Sequence, residues 1–252
     1  MIRRAIGVTV SAGIAVAGVG ACTVLAAGAL TGGVQTLAVG VDQLPMVIDE
    51  PITGEGESPG QTQNLGTANV SSEWLTKVGG RTGVDERALL GYANAALVLK
   101  TQRPACKLGW STLAAIGAIE SGHGTHGKSG LDVDGRATVA IIGPALNGQG
   151  GYAAIRPSAE AAARHGDSQW DRAVGPFQFI GDTWARWQAD GDGDGIADPQ
   201  DIDDAALAAG RYLCASGGDL STPDGWRAAV FSYNHSTDYV VNVLAVANSY
   251  AK

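Results

Sequence analysis

Residues 109–124 read GWSTLAAIGAIESGHG. Leu113, Ile116 and Ile119 fall near one face of a helix, and Gly122 supplies a stop signal. Glu120 is the one charged residue of the run, placed just where the chain breaks into glycines. The same helix-then-breaker grammar governs the rest of residues 74–252. DERALLGYANAALVLKTQRP (85–104) opens on acids in its first turn and closes before Pro104. GDTWARWQ (181–188), DDAALAAGRYLCA (203–215), GWRAAVFSY (225–233) and TDYVVNVLAVANSYA (237–251) follow. From about 130 to 170 the sequence is rich in Gly and Pro, with ATVAIIGP (137–144) as its one strand-like run. The pattern predicts a mainly α domain whose middle section is loop or a short sheet.

The chain has 252 residues, 17 Lys+Arg against 25 Asp+Glu and a formal net charge of -8. That length accommodates one sizeable domain plus accessory sequence. The acidic balance argues against nucleic acid as the main partner. Basic MIRR is followed by AIGVTVSAGIAVAGVGACTVLAAGAL, and no charge interrupts the run before Asp42. Residues 1–41 therefore predict export, as a signal peptide or as a retained N-terminal membrane anchor. The expected location is extracytoplasmic: secreted, wall-associated or membrane-anchored. Residues 42–73, with their Gly, Pro, Ser, Thr and acid, read as a linker. Of the 3 cysteines, Cys22 lies in the export segment, which leaves Cys106 and Cys214 as an expected disulfide in an oxidising compartment.

Several residues can carry chemistry. A carboxyl group beside apolar neighbours loses hydration, which raises its pKa and lets it hold a proton near neutrality. The negative end of the helix dipole acts in the same direction, so Glu120 suits a general acid at a glycosidic oxygen. A zinc site of Glu120, His123 and His126 competes, but Gly122, Gly124 and Gly127 prevent a continuous helix from presenting the three on one face.

DGDGDGIADPQD (190–201) sets Asp190, Asp192, Asp194 and Asp198 at positions 1, 3, 5 and 9 of a calcium loop. Gly195 stands at the sharp turn and Ile196 at the carbonyl position. Asp201 takes the last position, with Asp203 or Asp204 as alternatives. The expected cofactor is a structural Ca2+, with no organic cofactor. Phe179, Trp184 and Trp187 read as core for at least two of the three. Gln178, Tyr233, Asn234 and Tyr239 suit a saccharide groove, where amides read hydroxyl and N-acetyl groups and rings stack on sugar faces.

ESGHG (120–124), WDRAVGPFQFIGDTW (170–184), DGDGDGIADP followed by DDAALAAGRYLC, and YNHSTDY (233–239) occur in this order. Together they resemble the lytic murein transglycosylases of the membrane-bound type B group, over roughly residues 74–252. The resemblance implies a lysozyme-like α+β domain with an EF-hand-like calcium loop. It implies that Glu120 is the sole catalytic acid/base and that Gln178 lines the glycan groove. Tyr233, Asn234 and Tyr239 then match the pattern around the cleaved sugar, and Tyr212 a further groove tyrosine. The chain departs from the family at Gly181–Asp182, where Pro-Ser is common.

The implied reaction cleaves the β-1,4 bond between N-acetylmuramic acid and N-acetylglucosamine and leaves 1,6-anhydro ends. The implied partners are peptidoglycan glycan strands, with the enzyme acting as a monomer and touching membrane only through its N-terminal segment. Two other readings stay open at this point. One is a hydrolytic muramidase of the same fold, with Asp132, Asp134, Asp167 or Asp171 as second carboxylate. The other is a non-catalytic, calcium-dependent wall-binding module.

Overall fold

The computed structural model describes residues 49, 52 and 70–251. Residues 1–41 and most of the expected linker lie outside them. Among the described residues the architecture is mainly α, with eight α-helices and a two-stranded sheet. None of the described helices is long and apolar enough to cross a membrane.

The first helices form because their ends are capped and their apolar sides have somewhere to go. α1 (Ser72–Thr82) starts with the Ser71 side chain accepting from Trp74 N, and stops at Gly83 in a left-handed conformation. It begins inside the last two positions of the expected linker. α2 (Glu86–Gln102) starts at Asp85, whose side chain accepts from Arg87 N. α3 (Trp110–Ser121) is the stretch quoted above, and residues 110–117 are all buried along it. A helix apolar all round has to be enclosed on several sides. α3 packs against α2 and against α8 (Thr237–Tyr250).

Next come β1 (Ile142–Ala145), α4 (Ala159–His165), β2 (Arg172–Val174) and α5 (Gly181–Trp187). β1 and β2 pair antiparallel, with Ile142 opposite Val174. α4 was not expected from the sequence. It is seven residues long, capped by Ser158 and pinned by a buried pair, His165 Nε2 to Asp171 Oδ1 at 2.9 Å. α6 (Ile202–Gly217) and α7 (Pro223–Tyr233) complete the helical layer with α8.

α6 is buried continuously from Ile202 to Gly210 and packs on α2, α7 and α5. Close approach requires the absence of a side chain at Gly210, where a Cβ would run into Leu99 of α2. Phe179 and Trp184 are core residues, whereas Trp187 is half-buried and meets Tyr212 edge-on with ring centroids 5.8 Å apart. Two of the three aromatic positions are thus core, as expected.

Cys106 and Cys214 are bonded, with Cα atoms 5.3 Å apart and a sequence separation of 108. The bond ties α6 to the segment between α2 and α3, where Leu220 N also donates to the Cys106 carbonyl at 2.7 Å. Replacing both cysteines by serine should lower unfolding free energy in urea by about 4–5 kcal/mol, the loop-closure value for a chain segment of this length. Unfolding unchanged within about 1 kcal/mol would show that the unfolded chain gains nothing from the missing link.

Candidate active site

Glu120 is the penultimate residue of α3. Its carboxylate Oε1 accepts a hydrogen bond from the Tyr239 hydroxyl at 2.6 Å, and Tyr239 lies buried in the first turn of α8. Glu120 itself keeps partial contact with solvent. Burial pushes its pKa up to about 7, the Tyr239 hydrogen bond pulls it down, and no second carboxylate contributes to the shift. The group is thus a carboxyl that exchanges its proton near neutrality. Tyr233 and Tyr239 are both raised above the usual phenol range, chiefly by burial and then by the nearby Glu120 charge. They remain neutral donors.

Ser121 joins Glu120 to the hairpin opposite. Its hydroxyl donates to the Pro176 carbonyl at 2.7 Å and accepts from Gly124 N at 2.8 Å. The Tyr233 hydroxyl donates to the neighbouring Phe177 carbonyl at 2.7 Å. Val174 and Phe179 exchange both backbone hydrogen bonds at 2.9 Å and close the hairpin around residues 175–178. Gly175, at φ 77°, is needed because the Pro199 carbonyl sits where a Cβ would be. Gln178, at φ 50°, is half-buried and donates its side-chain amide to the Gly175 carbonyl at 3.0 Å. Ser121 and Tyr233 thus hold one turn by two adjacent carbonyls, one from each side. Ser121 was missed in the sequence reading, although it directly follows the acid in ESG.

Asn234 is the C-cap of α7 and is buried, and its Oδ1 has no hydrogen-bond partner among the described residues. Tyr212 is half-buried, donates its hydroxyl to the Ser232 carbonyl and meets the Tyr233 ring edge-on at 5.6 Å. Phe179 lies edge-on to the same tyrosine at 6.2 Å. Tyr212, Tyr233, Asn234 and Tyr239 therefore surround the α7–α8 junction, and only Tyr239 bonds Glu120 directly.

The competing ligands and carboxylates are bound to other groups or exposed. His123 hydrogen-bonds Tyr92 through Nδ1 at 2.9 Å and Tyr250 through Nε2 at 3.1 Å, and burial lowers its pKa to about 4. His126 is exposed in a 3-10 turn, His126–Lys128. Asp171 is buried against His165 and accepts from Gly181 N at 3.0 Å. Asp167 pairs with Arg172 at 2.9 Å and accepts from Gln169 N and Trp170 N. Asp132 accepts from Asp134 N and Arg136 N, and Asp134 is exposed.

No family model matches the chain, and no curated protein or solved structure matches it significantly.

The acidic loop brings together only part of its expected ligand set: Asp190 and Asp192 converge with Asp204, one of the alternatives for the last position, and without Asp194, Asp198 or Asp201. Asp190, Asp192 and Asp204 bring one oxygen each to within 4.8 Å of one another, the one group among the described residues with metal-holding geometry. Asp201 is instead the N-cap of α6 and accepts from Asp203 N at 2.9 Å. The helix starts so late in the loop that its N-cap falls on the last loop position, and capping takes that side chain. Asp204, in the first turn of α6, accepts from Gly191 N at 2.6 Å and from Asp198 N at 2.7 Å. Asp194 and Asp198 point to Arg136, and Ile196 is 57% exposed. An all-oxygen donor set of this kind fits a hard divalent cation.

Two consequences for Glu120 can be measured. Removing the Tyr239 hydroxyl by Tyr239→Phe should move the Glu120 carboxyl above about 7, read by a 13C titration of labelled glutamates. A downward move would contradict the hydrogen-bond assignment. A carboxyl whose pKa rises on folding contributes stability below its ordinary value of 4.5, and that contribution fades as pH climbs through about 7. Glu120→Gln should therefore gain stability over the native chain between pH 5 and pH 8. The gain is up to roughly 3 kcal/mol, less for residual solvation, and equal gains at both pH values would reject it.

Proposed function

We propose that the chain is a lytic murein transglycosylase, exported and acting on peptidoglycan strands outside the cytoplasm. The observation that carries this reading is the single carboxyl at the end of α3. Glu120 titrates near 7, bonds a neutral tyrosine and has no carboxylate partner contributing to its shift. Hydrolytic glycosidases of the common kinds work with two carboxyl groups at defined separation. The four aspartates weighed as a second carboxylate are exposed or bound to other groups. The order of sequence motifs supports the same reading.

In this mechanism protonated Glu120 gives its proton to the glycosidic oxygen between N-acetylmuramic acid and N-acetylglucosamine. The C1–O bond breaks, and the substrate's own N-acetyl oxygen stabilises the positive charge at C1. The Glu120 carboxylate then takes the proton of the 6-hydroxyl, whose oxygen bonds to C1 and closes the 1,6-anhydro ring. Glu120 ends protonated and no water is consumed. Tyr239 stabilises the carboxylate form between the two steps, which keeps the group close to neutrality in either direction. The half-buried Gln178 offers a polar group for N-acetyl and hydroxyl recognition, and the half-buried Tyr212 and Tyr233 rings, backed by Phe179, offer faces for the sugars.

The acidic loop fits a structural calcium ion held by Asp190, Asp192 and Asp204. Such an ion would offset two of the three converging negative charges and take no part in the reaction. Its position matters through the loop's exit: the Gln200 side chain bonds both Ile141 N and Ile141 O at 2.9 and 3.0 Å, next to the hairpin bearing Gln178.

Digestion of purified peptidoglycan should release muropeptides lighter by one water than hydrolytic products. Glu120→Gln should lose lysis by about 10²–10⁴-fold while still binding the wall. Products carrying the added water would mean a muramidase, and lysis unaffected by Glu120→Gln would remove the acid from the chemistry. Since the first step needs the protonated form, kcat/KM should fall as pH rises past about 7.

A further inference from the structure

Seven aspartates lie between residues 190 and 204: 190, 192, 194, 198, 201, 203 and 204. Two arginines from outside this segment reach into them. Arg87 of α2 pairs with Asp203 and also donates to the carbonyls of Val133 and Asp134 at 3.1 and 2.7 Å. Arg136 meets Asp194 at 2.7 Å, Asp198 at 3.5 Å and Asp201 at 3.8 Å. Together the two guanidinium groups account for four of the carboxylates. Those with no cationic side chain among the described residues are Asp190, Asp192 and Asp204, and they are the three that converge within 4.8 Å. Charge pairing and convergence thus divide the loop along the same line.

Arg136 sits on a built turn. Its backbone N–H donates to Asp132 Oδ1 at 2.9 Å, its carbonyl accepts from Asp132 N at 2.9 Å, and it bridges to Asp201 across an antiparallel pair. A guanidinium carries no acceptor and stays charged throughout the accessible pH range, so it is a permanent competitor for carboxylate oxygens. The pairing with Asp201 is loose: Asp201 Oδ2 is enclosed without a hydrogen-bond partner.

We propose that Arg136 is an internal counter-ion that occupies the outer half of the loop, confines a bound calcium ion to Asp190, Asp192 and Asp204, and lowers its affinity. The inference rests on the reading of the loop as a cation site. It separates this loop from a calcium loop whose successive acids all face the ion. Here Asp194, Asp198 and Asp201 serve the protein's own cation, which keeps the loop in shape whether or not calcium is bound. A positive charge held against carboxylates of the same loop opposes a second one, and removing it leaves the outer carboxylates free to turn inward.

The test is calcium titration of the full chain by calorimetry, with melting curves in calcium and in EGTA. Native protein should bind one calcium ion and melt higher with it. Asp204→Asn should weaken binding at least tenfold, while Asp201→Asn and Asp194→Asn stay within about threefold. Arg136→Gln should bind roughly tenfold tighter, melt lower in EGTA and gain more on calcium addition. Arg136→Lys, which keeps the charge, should stay near the native affinity. Unchanged or weaker binding in Arg136→Gln overturns the inference, as does a tenfold loss in Asp194→Asn, which applies even where the arginine variants do not fold. Native protein that neither binds calcium nor responds to it in melting would instead remove the cation site, and the role of Arg136 with it.

Discussion

Holding a carboxyl group half out of water at the end of a buried helix is unfavourable, and much of the fold is arranged around that constraint. α3 has no polar face, so α2 and α8 must cover it. Covering it brings Tyr239 over Glu120, and the hydroxyl supplies the hydrogen bond that moderates the desolvation. The next residue, Ser121, turns the helix end into an attachment point for the hairpin at 175–178. Tyr233 grips the same hairpin from α7. The acid, its tyrosine and Gln178 are therefore held by adjoining contacts among α3, α7, α8 and one turn.

The acidic loop is joined to this arrangement by its far end. Pro199 presses against Gly175, Gln200 pairs with Ile141, and Ile202 N donates to the Gly135 carbonyl at 3.0 Å. From α2, Asn94 donates to the Gly191 carbonyl at 3.1 Å and Arg87 anchors Asp203. The charges of the loop are settled largely by side chains that come from elsewhere in the chain.

Much of the helical framework was legible in the sequence because several helices carry their own start or stop: acids in the first turn of α2, Gly122 after α3, Thr237 and Asp238 at the start of α8. α4 was hidden by a Gly- and Pro-rich neighbourhood; the Ser158 cap and the His165–Asp171 pair just beyond its end hold it in place. α1 was not read as a helix, because Gly79 and Gly80 interrupt its apolar spacing. At the site, Glu120 and Tyr239 stood out by type and position, but their mutual hydrogen bond spans 119 residues and no local pattern encodes it. The choice among Asp201, Asp203 and Asp204 for the last loop position could not be made from the loop template, because it depends on where α6 starts: the helix takes Asp201 as its cap and leaves Asp204 beside Asp190 and Asp192. Arg136 carries no motif at all; its partners are set by tertiary approach.

Gln178 gives a way to compare sequences that share this hairpin. Its backbone conformation is one that glycine or asparagine adopts with little strain, and glutamine does not. Random drift judged on folding alone would favour the smaller residues at this place. A related chain with glycine there would keep the turn and lose the amide, and one with glutamine would keep both at a conformational disadvantage. The residue found at this single position thus distinguishes selection acting on the side chain from selection acting on the backbone.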